Sequence, residues 1–389
     1  MIEIQGLHNS ALCYTPALEP TAELQIKTVC DQEAFAGCKI RIMPDVHAGK
    51  GCTIGTTMTI RDKIVPGMVG VDIGCGMETV RLAEKEIDFA ALDALIRKEI
   101  PCGQNIRKDE HPLNGEIDLH RLRCSPYVSV ERAKRSIGTL GGGNHFIELQ
   151  EDQDGYLGIM IHSGSRHFGK EICDYFHKRA RELNAAWHSA VPDSYHLAFL
   201  PVDSAEGQDY ILWMNLALEY AFENRKRMME KTLEIVAEKV EKYLDTTMEF
   251  TEHINCHHNY ASLETHYGKE VWVHRKGATR AGNGEMAVIP GAMGSYSYVV
   301  MGKGNPESFE SSSHGAGRAY SRKAAMEKFS CEEVINDLKA QGVVLGKMKK
   351  SDVAEESRFA YKDIDHVMDQ QKDLVVPVKK LKTVGVVKG

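Results

Sequence analysis

No stretch of this 389-residue chain is apolar for the roughly 18 residues a spanning helix needs. The opening MIEIQGLHNSALCYTPALEP offers neither a basic nor an apolar leader segment. The expectation is a cytoplasmic protein that neither crosses nor binds a membrane. A basic excess is also missing: 48 Lys and Arg face 55 Asp and Glu, a net charge of -7, so any polyanion would be met by local patches. The ten cysteines include no CxxC pair, which argues against zinc ribbons, thioredoxin motifs and a secreted disulfide scaffold and fits a reducing compartment. GVVLGKM at 342–348 lacks the spacing and the hydroxyl of a phosphate-binding loop, so a P-loop NTPase is disfavoured. With no KxDG tetrapeptide either, a conventional lysine-nucleophile ligase or capping enzyme is not expected.

What the chain does have is glycine in three zones, at 49–77, 138–144 and 277–318, where long helices are excluded. Between them Met229, Leu233, Val236, Val240 and Tyr243 recur at three or four residues, so 209–245 reads as one or two amphipathic helices. Residues 90–100 and 331–340 read as shorter helices. The runs KIRIM, TMTIRDKIV, YLGIMIHS, EVWVHR and SYSYVVMG alternate or are fully apolar, as buried strands do. The fold class expected is α+β, with Gly-rich loops gathered where strands end, and loops of that kind on a rigid scaffold carry chemistry.

Several ligand-capable side chains lie in those loops. Asp72 and Cys75 in VDIGCGM are separated by two residues in a turn-permitting segment, so a carboxylate and a thiolate can face one point. The pair equally fits a turn aspartate beside a buried free thiol. Asn144 and His145 follow GTLGGG, His162 stands in IHSGSRHFG, and His257, His258 and Asn259 stand in INCHHNY. One thiolate with several imidazoles would suit Mn, Fe, Co or Zn, and a bridging Cys could hold two ions.

His314 stands in SSSHGAGRAYSR. The backbone N–H groups after it could cradle a phosphate, Arg318 could add charge to a phosphate oxygen, and the imidazole could attack phosphorus to form a phosphoramidate. A helix-capping turn fits the same residues. Lys269, Arg275, Lys276 and Arg280, then Lys347, Lys349 and Lys350, then Lys379, Lys380 and Lys382 form basic runs that read either as solvated faces or as an RNA track.

In order, MPDVHAGKG, GVDIGCGM, GGGNHFIEL, IHSGSRHFG, CHHNY, VHRKGATRAGNGEMAVIPGAMGSYSYVV, SSHGAGRAYSR, AYKDID and the terminal VVKG resemble the RtcB family of RNA ligases over residues 43–389. The resemblance implies one large α+β domain over 1–389, with a helical insertion at about 205–246. It implies two manganese ions per site, one held by Asp72, Cys75 and His145 and the other by Cys75, His162 and His258, and it implies GTP as cofactor with His314 as the guanylylated residue. The implied nucleotide pocket comprises Asn144, His145, Phe146, Ile147, Glu148, His258, Asn259, Pro290, Gly291, Ala292, Met293, Ser297, Gly315, Ala316, Gly317 and Arg318. Tyr361 would stack on the base, and Lys388 would donate to guanine O6 while Glu148 accepts from N1–H and the amine. Two departures stand out: Ala292, where many members carry a hydroxyl, and His167 with Phe168, where a Gly-Leu pair is common.

The reaction so implied joins RNA 3'-phosphate or 2',3'-cyclic phosphate ends to 5'-hydroxyl ends, through a histidine-GMP adduct and a GMP-activated 3' end, in RNA repair or tRNA splicing. The partners are RNA and GTP, and a monomer is expected. Two rivals stay open on the residues: a metal-dependent cyclic phosphodiesterase that does not ligate, and a non-catalytic RNA-binding subunit.

Overall fold

The computed structural model describes residues 1–111, 117, 127–239, 253–346 and 350–388. Two sheets carry the site. A six-stranded sheet runs in the order Ile2–Gln5, Ser10–Cys13, Lys39–His47, Ile54–Ile60, Lys269–Lys276, Asn259–His266. An eight-stranded sheet runs His253–His257, Gly76–Arg81, Leu157–Ser163, Phe146–Glu151, Val375–Lys388, Tyr296–Gly302, Met286–Ile289, with Val344–Leu345 added parallel to the C-terminal strand. The α+β class is what the structure has.

Five of these strands, Lys39–His47, Ile54–Ile60, Leu157–Ser163, Lys269–Lys276 and Tyr296–Gly302, fall on runs read as strands from the sequence, and the two shorter helices read there are present. The helix Cys331–Ala340 starts at a capping box between Ser330 and Glu333, and Phe89–Glu99 starts at the Asp88 cap, both satisfying orphan N–H groups. The segment read as one or two helices is a single helix, Ala205–Lys239; Val240 and Tyr243, like Lys347 and Lys349, lie outside the described residues. This helix buries Tyr210, Met214, Ala217, Tyr220 and Arg225 completely, so it lies inside the body of the protein. Its Asn224 and Arg225 are used below.

One long element was not read from the sequence, the helix Arg166–Ala186. Its apolar stripe of Phe168, Ile172, Cys173, Phe176 and Ala180 has helical spacing but is diluted by charge, and the start hides in a Ser-Gly-Ser turn. The stripe packs on Tyr210, Trp213 and Tyr220, which sets the two long helices against each other behind the loops after Gly74 and Ser163. Among the described residues no helix is long and apolar enough to cross a membrane.

Candidate metal centre and nucleotide pocket

The strands Gly76–Arg81, Leu157–Ser163 and Phe146–Glu151 are adjacent, and Met77 and Phe146 both pair with His162 in register. That pairing brings the Gly-rich turns at the strand ends to one place. Cys75 Sγ lies 3.2 Å from His162 Nε2 and 3.5 Å from His145 Nε2, and His145 Nε2 lies 3.0 Å from Asp72 Oδ2. Two groups of side chains able to hold a metal ion result: Cys75, His162 and His258, and Asp72, Cys75 and His145. Cys75 belongs to both.

The unused atoms fit that role. Among the described residues Asp72 Oδ1 and His258 Nδ1 are buried without a hydrogen-bond partner, a costly state that a bound cation would relieve. The Leu140 carbonyl, 3.1 Å from His145 Nδ1, and the Asn144 carbonyl, 3.1 Å from His162 Nδ1, select the tautomer that leaves Nε2 bare toward the thiol. Burial pushes His162 and His258 well below the ordinary imidazole value, so both are neutral donors, whereas burial and the Asp72 carboxylate push the Cys75 thiol well up. An incoming metal must therefore displace the proton of Cys75.

The loops are braced from behind by Asn224 and Arg225. Asn224 accepts from Gly138 N and Thr139 N and donates to Ser163 Oγ and the Gly164 carbonyl. Arg225, fully buried, donates at 2.9 Å to the carbonyls of both Gly74 and Ser163 and binds Asn255. Its bonds hold His257 outside the ligand set, since His257 Nδ1 faces Gly74 O and Arg225. Gly141, at φ +84, leaves room for the Arg166 guanidinium, which a Cβ would meet at 1.9 Å.

His314 faces this centre. Its ring centroid is 4.8 Å from that of His258. The fully buried Asp45 holds it through one oxygen, Oδ2, which lies 2.6 Å from His314 Nδ1 and also accepts from the backbone N–H of His314 and Gly315. Burial alone would raise the Asp45 carboxyl, but the charge and hydrogen bond of His314, helped by His47 and Lys362, bring it below the usual carboxylate value. An ionised Asp45 keeps the proton on Nδ1 and leaves Nε2 bare. Asp45 lies in the MPDVHAGKG motif, but no role was read for it from the sequence.

On one side of His314 a cavity of about 270 Å³ is lined by Asn144, Phe146, Glu148, His162, His258, Pro290 to Met293, Gly315 to Arg318, Arg322, Glu356, Tyr361 and Lys388. Most of the expected pocket is therefore assembled. Five expected members differ in place or in role, and the first, His145, turns to Asp72 and Cys75 instead of lining the cavity. Ile147 points into the apolar core, because strand neighbours alternate faces. Ser297 stands behind the Pro290–Met293 loop, accepting from Gly291 N at 3.1 Å. Asn259 lines the neighbouring cavity and ties Asp72 O to Gly277 N. Arg318 was expected on phosphate, but its donors are turned to Tyr320 O, Glu355 O, Glu356 and the Tyr361 hydroxyl, and its guanidinium lies over the Tyr361 ring at 4.7 Å. Arg318 thus fixes the expected base-stacking tyrosine. Glu356, unmarked in the sequence, pairs with Lys388, Arg318 and Tyr361. Burial raises the Glu148 carboxyl to about 7 against the pull of Gln150 and Lys388.

A second cavity, of about 410 Å³, opens on the other side and shares Ile54, Asn144, His258, His314 and Arg322 with the first. Paired groups of side chains able to hold metal ions, an oriented imidazole and two cavities meeting at it give the class: an enzyme fold with a candidate metal site between two cavities. A family model described as tRNA-splicing ligase RtcB matches residues 25–122 and 109–389. The chain is 39% identical over 373 residues to RNA-splicing ligase RtcB1 of Escherichia coli strain ATCC 25922 and 38% identical to RNA-splicing ligase RtcB of Escherichia coli K12, covering 90% of each chain in both cases. It is 32% identical to tRNA-splicing ligase RtcB of Methanococcus maripaludis, over 89% of this chain and 87% of that one. The chain belongs to the RtcB family.

Proposed function

We propose that this protein is an RNA ligase that joins a 3'-phosphate or 2',3'-cyclic phosphate end to a 5'-hydroxyl end, using GTP and manganese, as one domain over residues 1–389. The observation that carries the reading is His314, held by Asp45 and facing both the Cys75 ligand groups and a cavity of about 270 Å³. A phosphodiesterase that only hydrolyses has no need of a covalent nucleotide, which this imidazole is placed to hold.

Asp72, Cys75, His145, His162 and His258 would hold the metal ions, which when bound supply Lewis-acid stabilisation of charge on phosphoryl oxygens. His314 Nε2 attacks the α-phosphorus of GTP, forming an N–P bond as the bond to pyrophosphate breaks. Asp45 stabilises the charge that develops on the imidazole. Glu148 in its ionised form selects guanine, since adenine would leave its buried carboxylate without the N1–H and amine donors, and Lys388, held by Glu356, keeps further donors for O6. The GMP passes to an RNA 3'-phosphate, and a 5'-hydroxyl then displaces it. Mixing a 3'-phosphate RNA with a 5'-hydroxyl RNA, GTP and Mn tests the proposal: a joined strand is expected, and free ends without a joined strand would contradict it.

A further inference from the structure

His47 lines the smaller cavity, and nothing in the cycle above uses it. The strand Lys39–His47 leaves the register of its neighbour Ile54–Ile60 after Ile42 and returns to it where His47 meets Ile54. Such an irregularity re-aims side chains beside a site. Asp45, inside the irregular stretch, turns its carboxylate to His314 and its carbonyl to a second ring, since His47 Nδ1 lies 3.0 Å from Asp45 O. One residue thus fixes both imidazoles.

A carbonyl only accepts, so His47 Nδ1 carries the proton and Nε2 is left as an acceptor. Burial, with the charges of His314 and Lys362, takes His47 down to about 4 against the pull of that carbonyl, and the ring is neutral at pH 7. Among the described residues Nε2 has no hydrogen-bond partner. With Nδ1 turned back to the backbone, the outer edge of a ring that lines the cavity carries this bare nitrogen. Its lone pair repels the oxygens of a triphosphate, which are acceptors too. It calls for a donor on the ligand.

A guanosine nucleotide offers few donors. Its N1–H and amine are taken by Glu148 in the reading above, which leaves the ribose hydroxyls. His47 stands where the sugar must pass. Asp45 ties its strand to His314 at the phosphate end, and Lys362, next to Tyr361 at the base end, donates to the carbonyls of Pro44 and Val46. The backbone N–H of Lys362 also donates to Gly317 O, so the strand, the glycine loop after His314 and the turn that holds Tyr361 form one wall. We propose that His47 Nε2 accepts a hydrogen bond from a ribose hydroxyl of GTP, so that His47 selects a ribonucleotide for the guanylylation of His314. This inference rests on the ligase reading and alters no bond made or broken at phosphorus.

The test compares rates of GMP-adduct formation with GTP, 2'-deoxy-GTP and 3'-deoxy-GTP, each supplied below saturation with Mn. Wild type should be slower by about tenfold or more with one of the two deoxynucleotides, the loss expected when an acceptor in the pocket wall goes unpaired. His47→Ala should be slowed by a similar factor with GTP and lose nothing further with that deoxynucleotide. His47→Gln, which keeps an acceptor oxygen, should recover part of the preference. Equal use of all three nucleotides by the wild type would overturn the assignment without recourse to any variant. A His47→Ala protein slowed alike with GTP and both deoxynucleotides would overturn it as well, since a contact to phosphate or a disturbed Asp45 gives that result. If the wild type forms no adduct with GTP, the ligase reading fails, and this inference with it.

Discussion

Asp45 and His314 stand 269 residues apart in the chain and meet with Asp45 Oδ2 2.6 Å from His314 Nδ1. The strand Lys39–His47 delivers the carboxylate, and Gly317, at φ +72, lets the loop after His314 lie against it, where a Cβ would strike the Asp45 carbonyl at 2.0 Å. Nothing in the residue types announces the contact, yet it decides which nitrogen of His314 is the nucleophile.

The first prediction follows from that contact. Asp45→Asn keeps an oxygen for the two backbone N–H groups but removes the charge that stabilises the imidazole as it becomes cationic. Formation of the GMP adduct should slow by about 10²–10⁴-fold. Labelling at a rate within a factor of three of wild type would show that Asp45 only braces the loop.

Metal affinity should depend on pH in one direction. His162 and His258 are already neutral, Asp72 is ionised and the Cys75 thiol is protonated, so loading releases the Cys75 proton. A raised thiol pKa means that protons compete with the metal at every pH below it. Affinity should therefore rise about tenfold per pH unit across the neutral range. Cys75→Ser should bind far less Mn while Cys256→Ser, on the next strand and outside both ligand groups, stays near wild type. A pH-independent affinity, measured by metal competition, would refute the release of the Cys75 proton.

Arg225→Lys should weaken metal binding by about 10–100-fold, the range expected when groups behind the ligands are disturbed. A lysine cannot reach the Gly74 carbonyl, the Ser163 carbonyl and Asn255 at once in the geometry that Arg225 adopts. Melting with and without Mn separates this effect from general destabilisation, because a purely structural loss would leave the metal-induced increase in Tm unchanged.

Guanine recognition should also titrate. With its carboxyl raised to about 7, Glu148 loses its charge as pH falls through that value, and only the carboxylate can accept from both N1–H and the exocyclic amine. GTP affinity should fall between pH 8 and pH 6. In Glu148→Gln it should be weak and flat over that interval. A wild-type affinity independent of pH would place the selectivity elsewhere.

How much of this was legible in the sequence differs by element. The candidate ligands were legible because each lies beside glycines or at the end of a β-like run, where a side chain is free to face a shared cavity, and the order of these motifs carried the family resemblance. Their grouping around Cys75 needed the register of the strands Gly76–Arg81 and Leu157–Ser163. Asp45, Glu356 and Arg225 were not legible, since each acts across a long separation in sequence on a partner that no local pattern names. The helix Arg166–Ala186 was overlooked for a different reason: the charge on its outer face masks a regular stripe. Arg318 misled because an arginine after a glycine loop suits a phosphate, and only the structure turns its donors toward Tyr361 and Glu356.

The most direct measurement of the central claim is exposure of wild type and His314→Ala to α-labelled GTP with Mn, followed by denaturing electrophoresis. Wild type should carry label that survives denaturation and base but is lost in acid, as a histidine phosphoramidate is, and His314→Ala should carry none. Label on His314→Ala, or wild-type label that resists acid, would contradict the assignment of His314 as the nucleophile.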